Sequence, residues 1–210
     1  MKRIFGILIT GMVVILNTVS AQTKKDLEKI PYHTPVKEFV SGKEAYAVTR
    51  EDWTSLPAQV TEDVQGFSFG PVSLTNGGES GPKDIPATRA SFLFSDGSHT
   101  RAVGLVLQVA KAAESKKLRA YITGKYGKGS SFDAPNPHGV DRDKVNGYAA
   151  VLYKLAKSNQ SMIVVDNFPW KGEKHVYTLD VYIVDNDVKV TDKGNNDTVV
   201  EMIKKINKRN

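Results

Sequence analysis

The chain contains no cysteine in its 210 residues. That absence excludes disulfides, thiolate metal sites, iron–sulfur clusters, a cysteine nucleophile and a lipid-modified cysteine near the N-terminus. Charge of one sign is not in large excess either. Lys and Arg number 29 against 23 Asp and Glu, a formal net charge of +6. The basic residues are scattered, apart from Lys204, Lys205, Lys208 and Arg209 at the C-terminus. Nucleic-acid binding calls for a basic stripe with stacking aromatics, and none is present. The four histidines (His33, His99, His138, His175) show no i, i+2 or i, i+4 spacing, so no local zinc motif exists. No pair of carboxylates has a spacing that points to acid–base chemistry, and no repeat or low-complexity tract is evident. No cofactor is implied.

What is present first is an export signature. Lys2 and Arg3 precede an apolar stretch from Ile4 to Leu16, followed by polar residues and Val19-Ser20-Ala21. A basic start, a short apolar run and small residues at the cut are the marks of a secretory signal peptide, with cleavage expected after Ala21. The run is too short to span about 30 Å of hydrocarbon at 1.5 Å per residue, and no second long run follows. Loss of residues 1–21 removes two basic residues and no acidic ones, so the net charge falls to +4. An exported chain of this length without disulfides needs an ordinary core, and the bacterial periplasm or cell surface is its expected home.

The organisation expected is a cleaved segment 1–21, an N-terminal extension 22–44 and one domain over 45–210. Gln22 to Lys29 reads as frayed or weakly helical. Ala45 to Thr49 reads as a short strand, and Thr49 to Asp52 as a capping box opening a helical turn that carries Trp53 and Leu56 to the core. Phe67 and Phe69 alternate in a strand, and Asn76 to Pro86 is a loop rich in Gly and Pro. Arg89 to Phe94 and Arg101 to Val109 form the arms of a hairpin about Asp96-Gly97. One long helix from Ser98 to Tyr126 competes with that reading, but Gly104 and the β-branched residues disfavour it.

Ala112 to Tyr126 is the clearest helix, with Leu118, Tyr121 and Ile122 on one face and Gly127 just past its end. Ser130 to Gly139 reads as loop. Strands follow at Tyr148 to Leu155, Ser161 to Asn167 and Val176 to Val184. In the last, Tyr177, Leu179, Val181 and Ile183 alternate with Thr178, Asp180 and Tyr182. A closing helix is opened by Thr198 and Glu201 and carries the stripe Val199, Met202, Ile203 and Ile206. The fold class is therefore α+β: a mostly antiparallel sheet of hairpins and meander, with a central and a C-terminal helix packed on one face.

The motifs with chemical content are few. Gly66-Phe-Ser68-Phe-Gly70 fits the serine-hydrolase pattern, which needs Ser68 at a strained strand-to-helix turn. Pro71 follows at once, and no helical pattern succeeds it, although Asp166 and His175 lie downstream in an order hydrolases use. Gly124 to Ser131 lacks the Lys-Ser pair of a phosphate loop and reads as a helix end. Asp141 and Asp143 open like a calcium loop, but Val145 and Leu152 occupy positions that should offer oxygen. Asp185, Asp187, Asp192 and Asp197 read as a solvated loop. Phe168, Trp170 and Lys171 lie at an expected hairpin tip, where exposed aromatics suit a sugar ring or a partner's pocket.

Together these features favour an exported, non-catalytic protein that binds a protein or glycan of the envelope through its loops. A small hydrolase using Ser68, and an assembly module pairing through a sheet edge, are the alternatives.

Overall fold

A computed structural model describes residues 24–30, 32–51, 54–78, 87–95, 100–133, 148–167, 178–190 and 197–206. Eight strands form one fully antiparallel sheet: β2 (Tyr46–Val48), β3 (Ala58–Thr61), β6 (Arg89–Leu93), β7 (Gly104–Val109), β8 (Ser130–Asp133), β9 (Tyr148–Leu155), β10 (Gln160–Asn167) and β11 (Thr178–Asp185). Their order across the sheet is β2-β3-β6-β7-β11-β10-β9-β8. The chain lays down one meander from edge to centre, crosses by helix α2 (Ala112–Tyr126), and returns from the other edge to the centre. A small second sheet joins β1 (Lys25–Asp26), β4 (Phe67–Phe69) and β5 (Val72–Ser73), with β1 parallel to β4. Two more helices, α1 (Lys37–Val40) and α3 (Val199–Ile206), complete the described elements. No helix among the described residues is long and apolar enough to cross a membrane.

The α+β class with an antiparallel sheet is as the sequence implies. β6 pairs antiparallel with β7, which excludes the long helix over 98–126; the turn at Asp96-Gly97 lies outside the described residues. Helix α2 has the expected limits, and Gly127 closes it with φ +78° and its N–H on the Thr123 carbonyl. At α3 the capping box forms: Thr198 N–H and Oγ1–H both donate to Glu201 Oε2, and Glu201 N–H donates to Thr198 Oγ1.

The helices do not share one face. Leu118 and Ile122 of α2 join a core with Leu105, Leu107, Val164 and Val181. Val199 and Val200 of α3 join the core on the opposite face, with Val106, Ile163, Val165 and Tyr182. The two-sided cover explains the near-continuous apolar runs of β10 and β11. Asp180 and Tyr182 are therefore buried, although they alternate with the apolar set.

Other expectations are corrected. The segment from residue 24 is neither frayed nor helical beyond one short turn: it adds β1 and then buries Leu27, Ile30 and Val36 in the first core. Thr49 opens no helix. Instead Glu51 Oε2 accepts from the N–H and Oγ1–H of Thr54, and Leu56 reaches the core through a turn. Trp53 lies outside the described residues. Ser130 begins edge strand β8 rather than a loop.

A buried carboxylate ties the N-terminal segment to α2. Glu28, its side chain 4% exposed, accepts from Tyr121 Oη–H at 2.8 Å, Lys125 Nζ at 2.8 Å and Tyr126 Oη–H at 2.7 Å. The Tyr121 ring packs against Gly70, where a Cβ would come within 2.4 Å of the ring. Gly70 also has φ +54°, so glycine is required there on two counts. Burial and the hydrogen bond to Glu28 push the Tyr126 phenol up to about 12. Lys125 is also raised: burial opposes this, but its bonds to Glu28 and Tyr121 outweigh burial.

Both groups hold their protons more tightly in the folded chain than in the unfolded one. The Tyr126 contribution is full below the ordinary tyrosine value of 10.0 and is lost as pH climbs through about 12. Thermal unfolding followed by circular dichroism should show the melting temperature falling across that window. In Tyr126→Phe the fall should be shallower; an equally steep fall would show that Tyr126 does not contribute.

Candidate functional site

A groove of about 830 Å³ opens at one end of the central strands. Its residues come from five stretches: Ile30, Tyr32 and His33, Ser95 after β6, Val103 before β7, the β9–β10 turn at Ser158 to Gln160, and Asp185 with Asp187 to Lys189 at the end of β11 and beyond. Register brings them together. Leu93 pairs with Gly104, Gly104 with Val184, and Asp185 with Gln160, so β6, β7, β11 and β10 end side by side. The N-terminal segment is laid across these ends by His33 N–H to Ala102 O at 2.8 Å and Val36 N–H to Thr100 O at 3.1 Å.

The polar residues of the groove are held by one another. His33 Nε2 lies 3.2 Å from Asp185 Oδ2, and Gln160 Nε2 donates to Asp185 Oδ1 at 2.9 Å. Asn159 Nδ2 donates to Asp187 Oδ2, and Asn186 Nδ2 donates to Asn159 Oδ1 at 3.2 Å. Ser161 Oγ–H donates to Asn186 Oδ1 at 2.7 Å beneath them. Ile30, Tyr32, Val103 and Val188 supply apolar surface. The Tyr32 hydroxyl oxygen is covered and has no hydrogen-bond partner among the described residues. Burial first, and then the charge of Asp185, raise its pKa well above the ordinary phenol value, which keeps it neutral.

His33 stands out on backbone grounds. Its φ is +68°, a conformation that costs a non-glycine residue about 1 kcal/mol or more. Its side chain is 66% exposed and faces an aspartate that is 15% exposed. Neither residue belongs to a local motif. His33 was legible only as a histidine without a nearby partner, and Asp185 only as part of an acidic loop. Among the described residues no group of three His, Asp or Glu is placed to hold a metal; Asp192 of the acidic loop lies outside the described residues.

The sequence candidates fall elsewhere. Ser68 sits in the middle of β4, 6% exposed, between Phe67 and Phe69, both fully buried. The chain turns back at Gly70 into β5 instead of entering a helix, so the strand–turn–helix setting of a hydrolase nucleophile is not formed. Ser68 is not part of the groove, whereas His33, the one histidine among the described residues, is. Asp166, a downstream acid in the hydrolase reading, is bound by Arg119 Nε at 3.0 Å under α2. Arg119 also donates to Tyr153 Oη at 2.9 Å. Phe168, Trp170, Lys171, Asp141, Asp143, His99, His138 and His175 all lie outside the described residues.

No protein-family model, curated protein or solved structure matches this chain.

Replacing His33 by glycine separates its two contributions. Relief of the left-handed backbone and loss of the exposed contact with Asp185 are each worth about 1 kcal/mol, with opposite sign. His33→Gly should therefore unfold in urea within about 1 kcal/mol of the parent chain. A loss several times larger would make the His33–Asp185 pair a stability element instead of a strained group held at the groove.

Proposed function

We propose that this is an exported, non-catalytic protein of the bacterial periplasm or cell surface that binds an envelope component in the groove at the ends of its central strands. The export part rests on Lys2, Arg3, the apolar run Ile4 to Leu16 and the small residues ending at Ala21. The observation that carries the binding part is the groove itself, where polar side chains from two separate turns are fixed by mutual hydrogen bonds. Pre-fixed side chains bind with little loss of rotamer freedom, which is what a binding site needs. The non-catalytic part is supported by Ser68, which lies between two buried phenylalanines and away from the groove.

Expression of the full chain in a Gram-negative host tests both parts. The mature protein should be released by osmotic shock, with a mass that places its first residue at Gln22. Treatment with a fluorophosphonate should leave it unlabelled. Retention of the leader in the cytoplasmic fraction would overturn the export reading, and labelling abolished by Ser68→Ala would overturn the non-catalytic one.

A second reading, assembly through a sheet edge, draws on one observation. Tyr46 on edge strand β2 is the large apolar side chain left 49% exposed among the described residues. Light scattering distinguishes the two readings. Assembly would give a dimer or larger species that Tyr46→Lys dissociates, whereas the groove reading is met by a monomer.

A further inference from the structure

We infer that the groove takes a neutral, hydroxyl-rich ligand, an oligosaccharide of about two or three rings, a size that suits its roughly 300–1,000 Å³ class of site. This rests on the binding reading above and names the chemistry of that ligand.

Charge excludes the first alternative. Asp185 and Asp187 face the groove together with Lys189 and His33. Two carboxylates set against one permanent cation give an anionic ligand no net attraction.

A bare cation fares no better. Both oxygens of Asp185 are already engaged, one by Gln160 and the other by His33, and one oxygen of Asp187 is engaged by Asn159. A cation would have to displace those donors, and among the described residues no third acidic or imidazole ligand is placed to help.

A peptide added as a strand is excluded by position. The groove opens at the ends of β6, β7, β10 and β11, not along an edge, so no free ladder of N–H and C=O groups runs beside it.

The remaining chemistry suits a sugar. A sugar ring has C–H faces that rest on apolar surface, and it carries hydroxyls that both donate and accept. The groove supplies both kinds of surface. Ile30, Tyr32, Val103 and Val188 give the apolar part, and planar amide and carboxylate groups rise around it. The side chains of Ser95, Ser158 and Lys189 form no hydrogen bond or ion pair with other described residues and can meet further hydroxyls. The partners of Gln160 and Asn159 fix which of their atoms point to solvent, so the pattern of donors and acceptors is set before the ligand arrives.

The test is binding of the mature full chain to a printed array of neutral, sialylated and sulfated glycans. Titration calorimetry follows with maltotriose, cellotriose, triacetylchitotriose, trigalacturonate and spermidine. A neutral glycan should bind saturably. Gln160→Ala and Lys189→Ala should each weaken it about tenfold or more, with unchanged urea unfolding. Tyr46→Ala, remote from the groove, should leave affinity as it was. Tighter binding of trigalacturonate or spermidine than of any neutral sugar overturns the inference. So does the absence of neutral-glycan binding up to about 10 mM, or binding that neither groove variant alters. Tight binding of trigalacturonate or spermidine that Lys189→Ala alters would leave the binding reading standing and remove only this one, so the two failures are distinct.

Discussion

Everything in the molecule depends on the antiparallel seam between β7 and β11. Each four-stranded meander ends there, and six residue pairs from Leu179–Val109 to Val184–Gly104 join them into one sheet. The seam makes these strands central, and a central strand in a two-faced sheet must be covered on both sides. Gly104 leaves no room for a side chain at the seam: a Cβ there would come within 2.8 Å of the Ile183 carbonyl oxygen. The glycine that argues against a long helix in the sequence thus has a second role, which is to let β7 approach its neighbour.

Two-sided burial then dictates the rest. One face is closed by α2, by the small β1-β4-β5 sheet and by the segment from residue 24. The other is closed by α3 and the turn at Leu56. The N-terminal segment is polar in sequence and could not hold its place by apolar burial alone. Leu27, Ile30 and Val36 anchor it, and Glu28 adds a buried charge. A buried carboxylate is costly unless its acceptor capacity is filled. Two phenols and an ammonium fill it, all from the last turns of α2. That helix is therefore both a cover for the sheet and the receptor for the segment that crosses the strand ends.

The parts of this fold that were legible in the sequence are those with local causes. Helix α2 shows its apolar face and its terminal glycine within 16 residues. Strand β9 announces itself by alternation of Val151, Tyr153 and Leu155, β10 by its run of apolar residues, and the α3 cap by Thr198 and Glu201. Non-local parts left no such trace. Strand β3, Ala-Gln-Val-Thr, is only four residues long, too short for a clear alternation, and is held between β2 and β6. Strand β8 exists by pairing with β9, and β1 by pairing with β4. Glu28 and its phenolic partner Tyr121 are 93 positions apart. The opposite placement of the two helices was hidden for a related reason. Each shows one apolar stripe, and neither stripe reveals which side of the sheet it meets.

The same logic explains why the candidate site was invisible and why it lies where it does. Inside a sheet the ladder satisfies backbone N–H and C=O groups, but where strands end other groups must take over. Here the β9–β10 and post-β11 turns bond to each other through Asn186 N–H to Asn159 O, and their amide and carboxylate side chains interlock above that bond. Polar side chains are thus concentrated, and held still, at the edge of an apolar core. The crossing N-terminal segment adds one wall and the strained His33 to that edge. A groove with an apolar floor and fixed polar walls follows from ending four adjacent strands together and passing a fifth segment over them. No single stretch of the sequence encodes it, because each wall is ordinary turn chemistry until the seam between β7 and β11 brings the walls together.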